Sequence, residues 1–147
     1  MISLPSFLTF VHLVGLSIGV GAATVKLVLL FKSKSNSDFL PVFIKASKPI
    51  TQLIITGLIL LTLSGIGWLL MGYPFTTLLI IKLVFVAAIW ILGPIIDNAI
   101  EPKFIKYAPT TNQQVTPEFI KILNKYIMFE AAATGLFYII IIIWELV

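Results

Sequence analysis

The hydrophobic positions of the chain fall into four long runs that are separated by short polar connections. The runs cover residues 5–31, 50–71, 78–96 and 127–143. Each run is about long enough to cross ~30 Å of hydrocarbon, because an α-helix rises ~1.5 Å per residue. The pattern predicts an all-α integral membrane protein, a four-helix bundle that forms one transmembrane domain over residues 1–147. We place the spans at about residues 5–31, 50–71, 76–97 and 122–145.

The composition agrees with an integral membrane protein and limits the kinds of site that the chain can form. Hydrophobic residues make up 59% of the chain and charged residues 11%, whereas a soluble domain has about 25% charged residues. The connections are too short to hold a catalytic domain. The 147 residues include no cysteine and one histidine, which excludes disulfides, thiolate nucleophiles and a bis-histidine haem site within one chain. Any chemistry must therefore lie inside the bundle or at its rims.

The polar connections differ in charge, and the difference predicts an orientation. The first and third connections are rich in lysine, while the second, GYPFTT, carries no charge. The lysines are Lys32, Lys34, Lys45, Lys48, Lys103, Lys106, Lys121 and Lys125. Because lysine-rich short loops stay in the cytoplasm, we expect both termini and the GYPF turn to lie outside. The lysines then contact anionic headgroups, and we expect no nucleic-acid partner.

The first run carries small and ionisable residues on one face. It is longer than a signal-peptide core of ~7–15 residues and no basic segment precedes it, so we expect a retained helix. The residues on this face include His12, Gly15, Gly19, Ala23 and Lys26. Gly15, Gly19 and Ala23 suit close packing against another helix, because small side chains let backbones approach. His12 is either a functional group within the bilayer or a partner in an interhelical hydrogen bond, and both interpretations stay open.

A lysine and a methionine are candidates to share a site with His12. Lys82 in the third run lies at a depth similar to that of His12, roughly 10 Å from the outer surface. An imidazole can ligate haem iron and an ammonium can pair with haem propionates, so His12 and Lys82 together suit a haem. The alternative for Lys82 is that it snorkels to the interface. Met71 is a candidate thioether ligand, although a methionine at a helix end is also ordinary packing.

Charged residues at the other end of the spans predict a second polar region. Lys26, Asp97 and Glu130 should lie near the inner boundary, where we favour structural ion pairs. The sharper alternative is a proton relay that starts at Glu130 and continues through Thr134 and Tyr138, which follow at i+4 spacing. Interhelical hydrogen bonds explain Thr134 and Tyr138 equally well.

Proline residues and helix-capping residues predict three features of local structure. Pro94 should kink the third helix just before it ends near residue 97. The segment DFLPVFIKASK, with a cap at Ser37 or Asp38, predicts a short interfacial helix ahead of the second span. The segment TPEFIKILNKY, with Thr116 as cap and a proline at the first helical position, predicts an early start of the fourth helix.

Three segments carry a resemblance to known membrane proteins. They are VHLVGLSIGVGAATVKLVLLFK in the first helix, TGLILLTLSGIGWLL in the second and IIKLVFVAAIWILGPII in the third. They resemble the four-helix core of HemJ-type protoporphyrinogen oxidases, CopD-type copper-resistance membrane proteins and small uncharacterised bacterial relatives. In the HemJ-type family a first-helix histidine serves haem b and a third-helix lysine is functionally important, which the resemblance extends to His12 and Lys82. This chain has IWILGPII where the HemJ-type pattern ends its third helix with a further histidine.

These observations leave three functional hypotheses. The first is a haem-b-binding protein of the bacterial cytoplasmic membrane, engaged in redox or tetrapyrrole chemistry, with His12 as axial ligand, Lys82 as propionate partner and Met71 or an open position opposite. The second is a non-enzymatic bundle that forms a homo-oligomer or accompanies a membrane partner subunit. The third is a proton or ion pathway through Glu130, Thr134 and Tyr138. Whether the protein is an enzyme stays open at this point.

Overall fold

The computed structural model describes residues 3–36, 38–109 and 115–145, and these residues form helices joined by short turns. The helices are α1 (Leu4–Ser35), α2 (Phe39–Leu70), α3 (Thr77–Ile95), a π-helical segment (Ile96–Ile100), α4 (Glu101–Tyr107) and α5 (Pro117–Glu145). No strand occurs in the part of the chain that the structure describes. The all-α prediction is confirmed.

Four stretches of helix are long and apolar enough to cross a membrane. They are Leu4–Ser35, Phe39–Leu70, Thr77–Tyr107 and Pro117–Ile143. The prediction of a four-helix membrane protein is confirmed on this basis. At ~1.5 Å per residue a helix of 32 residues is about 48 Å long, well beyond ~30 Å of hydrocarbon. The excess lies at the end of the bundle where α1 ends and α2 begins and where α4 ends and α5 begins, which we call the lysine-rich end. The opposite end holds residues 71–76 and is called the turn end.

The prediction of a separate interfacial helix ahead of the second span was wrong. Residues 39–48 form the first turns of α2, and the helix continues through Pro49. Asp38 is the N-cap residue but makes no side-chain cap hydrogen bond, and Ser37 lies outside the described residues. The early start of the fourth helix is confirmed, because α5 begins at Pro117 and the Phe119 amide donates to Thr116 Oγ1 at 3.2 Å.

The third span is longer than predicted. The chain stays helical through Pro94, widens into the π-helical segment and continues as α4 to Tyr107, so the expected end near residue 97 was wrong. In this segment the Glu101 amide donates to the Ile96 carbonyl five residues earlier. Pro102 follows directly, and since proline has no amide hydrogen and crowds the carbonyl four residues before it, the wider turn accommodates it.

The helices bury two separate cores. The mid-span core consists of Val20, Ala23, Leu58, Ile89 and Phe137. The lysine-end core is larger and aromatic, and it includes Leu30, Phe43, Phe104, Phe119 and Tyr126. The rings of Phe43, Phe104 and Tyr126 meet edge to face with centroids 5.3–5.8 Å apart, an arrangement that aromatic quadrupoles favour. The best packed part of the molecule is therefore the helical extension at the lysine-rich end.

Candidate functional site: a buried lysine among three carboxylates

The candidate site centres on Lys26 of α1, which lies between the two cores and is 1% exposed. Its Nζ lies 2.8 Å from Glu130 Oε1, 3.3 Å from Glu101 Oε2 and 3.5 Å from Asp97 Oδ1. It also donates to Thr51 Oγ1 at 2.8 Å. These five residues, which come from all four spans, form what we call the Lys26 cluster.

Glu101 is the most firmly held of the three carboxylates. Ser47 Oγ donates to its Oε1 at 2.8 Å, and Tyr126 Oη donates to its Oε2 at 2.8 Å. Ser47 is 1% exposed and Tyr126 is fully buried. With Lys26 as a further donor, both oxygens of Glu101 accept hydrogen bonds, so this carboxylate suits a fixed counter-ion.

The other two carboxylates differ in access to the surface. The side chain of Glu130 is 4% exposed, whereas that of Asp97 is 26% exposed. Asp97 lies in the π-helical segment and Glu101 directly follows it. The wider turn therefore occurs where two carboxylates are brought to one ammonium, and π-helical turns are frequent at functional sites.

The cluster lies near the lysine-rich end of the membrane-spanning part. Six residues of α1 separate Lys26 from Lys32, which corresponds to about 9 Å of helix. The apolar residues of the lysine-end core cover the cluster on this side. Three carboxylates face one ammonium, so negative groups are in excess. Because the cluster is buried, this excess negative charge requires compensation by a proton or a cation.

Two polar side chains continue from Glu130 along α5. Thr134 is 3% exposed, and its Oγ1 has no hydrogen-bond partner among the described residues. Tyr138 is half-exposed, and its hydroxyl lies 2.9 Å from Thr24 Oγ1 on α1. The structure thus brings Lys26, Asp97 and Glu130 together directly, and it places Thr134 and Tyr138 one and two turns beyond Glu130 on α5.

His12 lies apart from this cluster, nearer the turn end, and contacts α2. Its Nδ1 lies 2.9 Å from Ser64 Oγ, and Ser64 is 1% exposed. The Ser64 hydroxyl also donates to the Leu60 carbonyl at 2.8 Å. The contact with Ser64 engages Nδ1 of the imidazole and leaves Nε2 as the other ring nitrogen.

Lys82 and Met71 are the other residues predicted to serve a cofactor with His12. Lys82 is half-buried on α3. Met71 is the C-cap residue of α2, is 43% exposed, and lies seven residues beyond Ser64, which is about 10 Å of helix. The residues therefore offer one ring nitrogen, Nε2 of His12, to haem iron. They do not bring Met71 to the level of His12.

The small residues of α1 pack against α2, as their spacing suggested. Gly15 and Gly19 are buried against Gly57, and a Cβ added to Gly15 would lie 2.9 Å from Leu60 Cβ. Ala23 is 3% exposed and belongs to the mid-span core. The close contact is thus made within the chain, between the first two helices.

Sequence reasoning missed several residues of these sites. In the Lys26 cluster they are Thr51 and Glu101, beside it they are Ser47 and Tyr126, and in the helix contact the missed residue is Gly57. Glu101 was missed because the third helix was expected to end near Asp97. A signal was present, since Glu101 follows Asp97 at the i+4 spacing that puts two side chains on one side of a helix.

Among the described residues no group of three or more histidine, cysteine, aspartate or glutamate side chains is arranged to hold a metal ion. Comparison of the chain with models of protein families, with curated proteins and with solved structures found no match.

Proposed function

We propose that the protein conducts protons through its membrane domain and that the Lys26 cluster is its proton-binding site. The observation that carries this proposal is the contact of one buried ammonium with three carboxylates at 2.8, 3.3 and 3.5 Å. Ionisable residues inside a membrane domain are costly and are typical of proton and ion pathways. A purely structural ion pair needs one carboxylate, whereas this arrangement has two more than charge neutrality requires.

The three carboxylates have different roles in this proposal. Glu101, which accepts hydrogen bonds from Ser47 and Tyr126, is the permanent counter-ion of Lys26. Glu130 is the most buried of the three. It is the group that gains and loses the proton, because burial costs less free energy for a neutral carboxylic acid than for a carboxylate. Asp97 is the most exposed of the three and exchanges protons with water at the lysine-rich end.

The test is proton flux into liposomes that contain the purified protein. The vesicles hold a pH-sensitive dye, and a potassium gradient with valinomycin drives proton entry. Glu130→Gln keeps the shape of the side chain and removes its ability to take up a proton, so we expect flux to fall to the level of protein-free vesicles. Glu118→Gln, at an exposed position in the first turn of α5, is the matched control and should conduct as the unmodified protein does.

Two results would contradict the proposal. One is a flux in Glu130→Gln equal to that of the unmodified protein. The other is an unmodified protein whose vesicles are no more permeable to protons than empty ones, a result that would favour the non-enzymatic bundle and its role as an oligomer or accessory subunit.

Haem b binding at His12 is a second candidate function. The contact between His12 Nδ1 and Ser64 Oγ supports it, because a histidine that ligates haem or a metal holds its other ring nitrogen against a fixed partner. In this candidate His12 would hold the haem iron and Lys82 would pair with a propionate. Haem b would supply one-electron chemistry when bound. The absorption spectrum of the purified protein tests it.

The placement of the protein is part of the proposal. We infer that the lysine-rich end faces the cytoplasm of a bacterial cell and that both termini and the GYPF turn face outward. The charge difference between the connections supports this orientation. That the protein forms a homo-oligomer or binds a membrane partner subunit stays a prediction. Its support is that α3 buries one residue within the chain, Ile89, and leaves the rest of the helix for lipid or another chain.

A further inference from the structure

Two buried polar atoms lie one helical turn apart on α5, and each lacks a hydrogen bond among the described residues. They are Glu130 Oε1 and Thr134 Oγ1. Glu130 is 3% exposed and Thr134 is 3% exposed. Glu130 Oε1 pairs with the Lys26 ammonium at 2.8 Å, and a carboxylate oxygen has room for a second partner. Both atoms therefore have capacity to bind a further donor or acceptor.

Thr134 also differs from other threonines in these helices. Thr9, Thr24, Thr56 and Thr62 each donate their hydroxyl to the backbone carbonyl four residues earlier, at 2.7–3.0 Å. That bond is the usual way for a threonine to satisfy its hydroxyl inside an apolar helix. Thr134 does not make it, although the carbonyl in question belongs to Glu130. Its hydroxyl is thus left for a partner other than its own helix.

Tyr138 follows Thr134 at i+4 spacing, and its hydroxyl lies at the contact between α5 and α1. Since Thr24 donates to the Val20 carbonyl, it accepts from Tyr138 at 2.9 Å.

We propose that ordered water binds between Glu130 and Thr134 and delivers protons to Glu130. This inference rests on the proposed proton conduction and adds the route on the side away from Asp97. In the transfer step, the bound water donates a proton to Glu130 Oε1 and takes a proton from a hydronium ion on that side. The bound water is regenerated, the hydronium becomes water, and Glu130 changes from a charge of −1 to neutral.

Thr134→Val tests the inference, because valine has the shape of threonine without the hydroxyl. The first measurement is infrared spectroscopy of the protein in detergent, in which water held by few hydrogen bonds gives a separate O–H stretching band that shifts in H₂¹⁸O. We expect this band in the unmodified protein and its loss in Thr134→Val. Thr56→Val, at an exposed position where the hydroxyl bonds its own helix, should keep the band. Thr134→Ser should restore it.

The second measurement is proton flux in the vesicles described above. We expect Thr134→Val to reduce flux by about two orders of magnitude, the lower end of what one positioned proton-transfer group contributes, and Thr134→Ser to recover it. The inference is overturned if no ¹⁸O-sensitive water band depends on Thr134, whatever the flux. If Glu130→Gln abolishes flux while Thr134→Val conducts normally, the route is wrong and the proposed function stands.

Discussion

Gly57 of α2 lies directly against the backbone of Gly19 of α1. A Cβ added to Gly57 would come within 2.5 Å of Gly19 Cα and 2.7 Å of the Gly15 carbonyl oxygen. The approach requires glycine at position 57, and also at position 15, where an added Cβ would lie 3.0 Å from the Gly57 carbonyl oxygen. The contact lies between His12 and Lys26 along α1. It therefore fixes which face of α1 packs against α2, and both residues lie on that face.

We predict that Gly57→Ala destabilises the protein by about 1–3 kcal/mol, the usual cost of forcing a methyl group into a filled space. The atoms that it would meet are backbone atoms of α1, which cannot move aside as a flexible side chain can. Unfolding of the detergent-solubilised protein by SDS, followed by circular dichroism, measures the change.

Gly65 provides the matched control on the same helix. A Cβ added there meets nothing within 4 Å, so Gly65→Ala should leave stability unchanged or raise it slightly through better helix propensity. Equal stability of the two variants would contradict the contact between Gly57 and Gly19.

Removal of the ammonium from the Lys26 cluster is predicted to destabilise the fold strongly. Lys26→Met fills a similar volume and leaves three carboxylates without a counter-ion, which in a buried pair costs about 3–5 kcal/mol. Addition of Glu130→Gln to Lys26→Met removes one of the uncompensated charges and should recover part of the loss. The SDS unfolding assay measures both effects.

Lys45→Met serves as the control for this series, because Lys45 is exposed. Stability of Lys26→Met indistinguishable from that of Lys45→Met would mean that the four charged groups do not interact as the distances indicate.

The sequence predicted the spans well and the sites only in part, for identifiable reasons. The spans follow from hydropathy alone, and Lys26 and Glu130 stand out because charged residues are rare within apolar runs. Glu101 did not stand out, because the prolines at 94 and 102 mark a helix end in a sequence, whereas the chain continues through a π-helical turn. Gly57 was missed because its helix has no second glycine at i+4 spacing. Its partners are Gly15 and Gly19 of another helix.

The haem candidate makes a spectroscopic prediction that separates it from proton conduction. Reconstitution with haem b should produce a Soret band in the unmodified protein and none in His12→Ala, because His12 is the only histidine. Ser64→Ala should keep the band and weaken haem affinity by about 10–100-fold, since it removes the group that orients the imidazole. A protein that shows no Soret band after reconstitution does not bind haem at His12.

The orientation can be tested directly because the chain has no cysteine, so one introduced cysteine is the only thiol. Ser35→Cys reports on the lysine-rich end and Tyr73→Cys on the turn end, and both positions are exposed. If lysine-rich connections stay in the cytoplasm, a membrane-impermeant maleimide added to intact spheroplasts should label Tyr73→Cys at once. It should label Ser35→Cys only after the membrane is permeabilised. The reverse pattern would place the termini in the cytoplasm, and Asp97 would then exchange protons with the outside rather than with the cell interior.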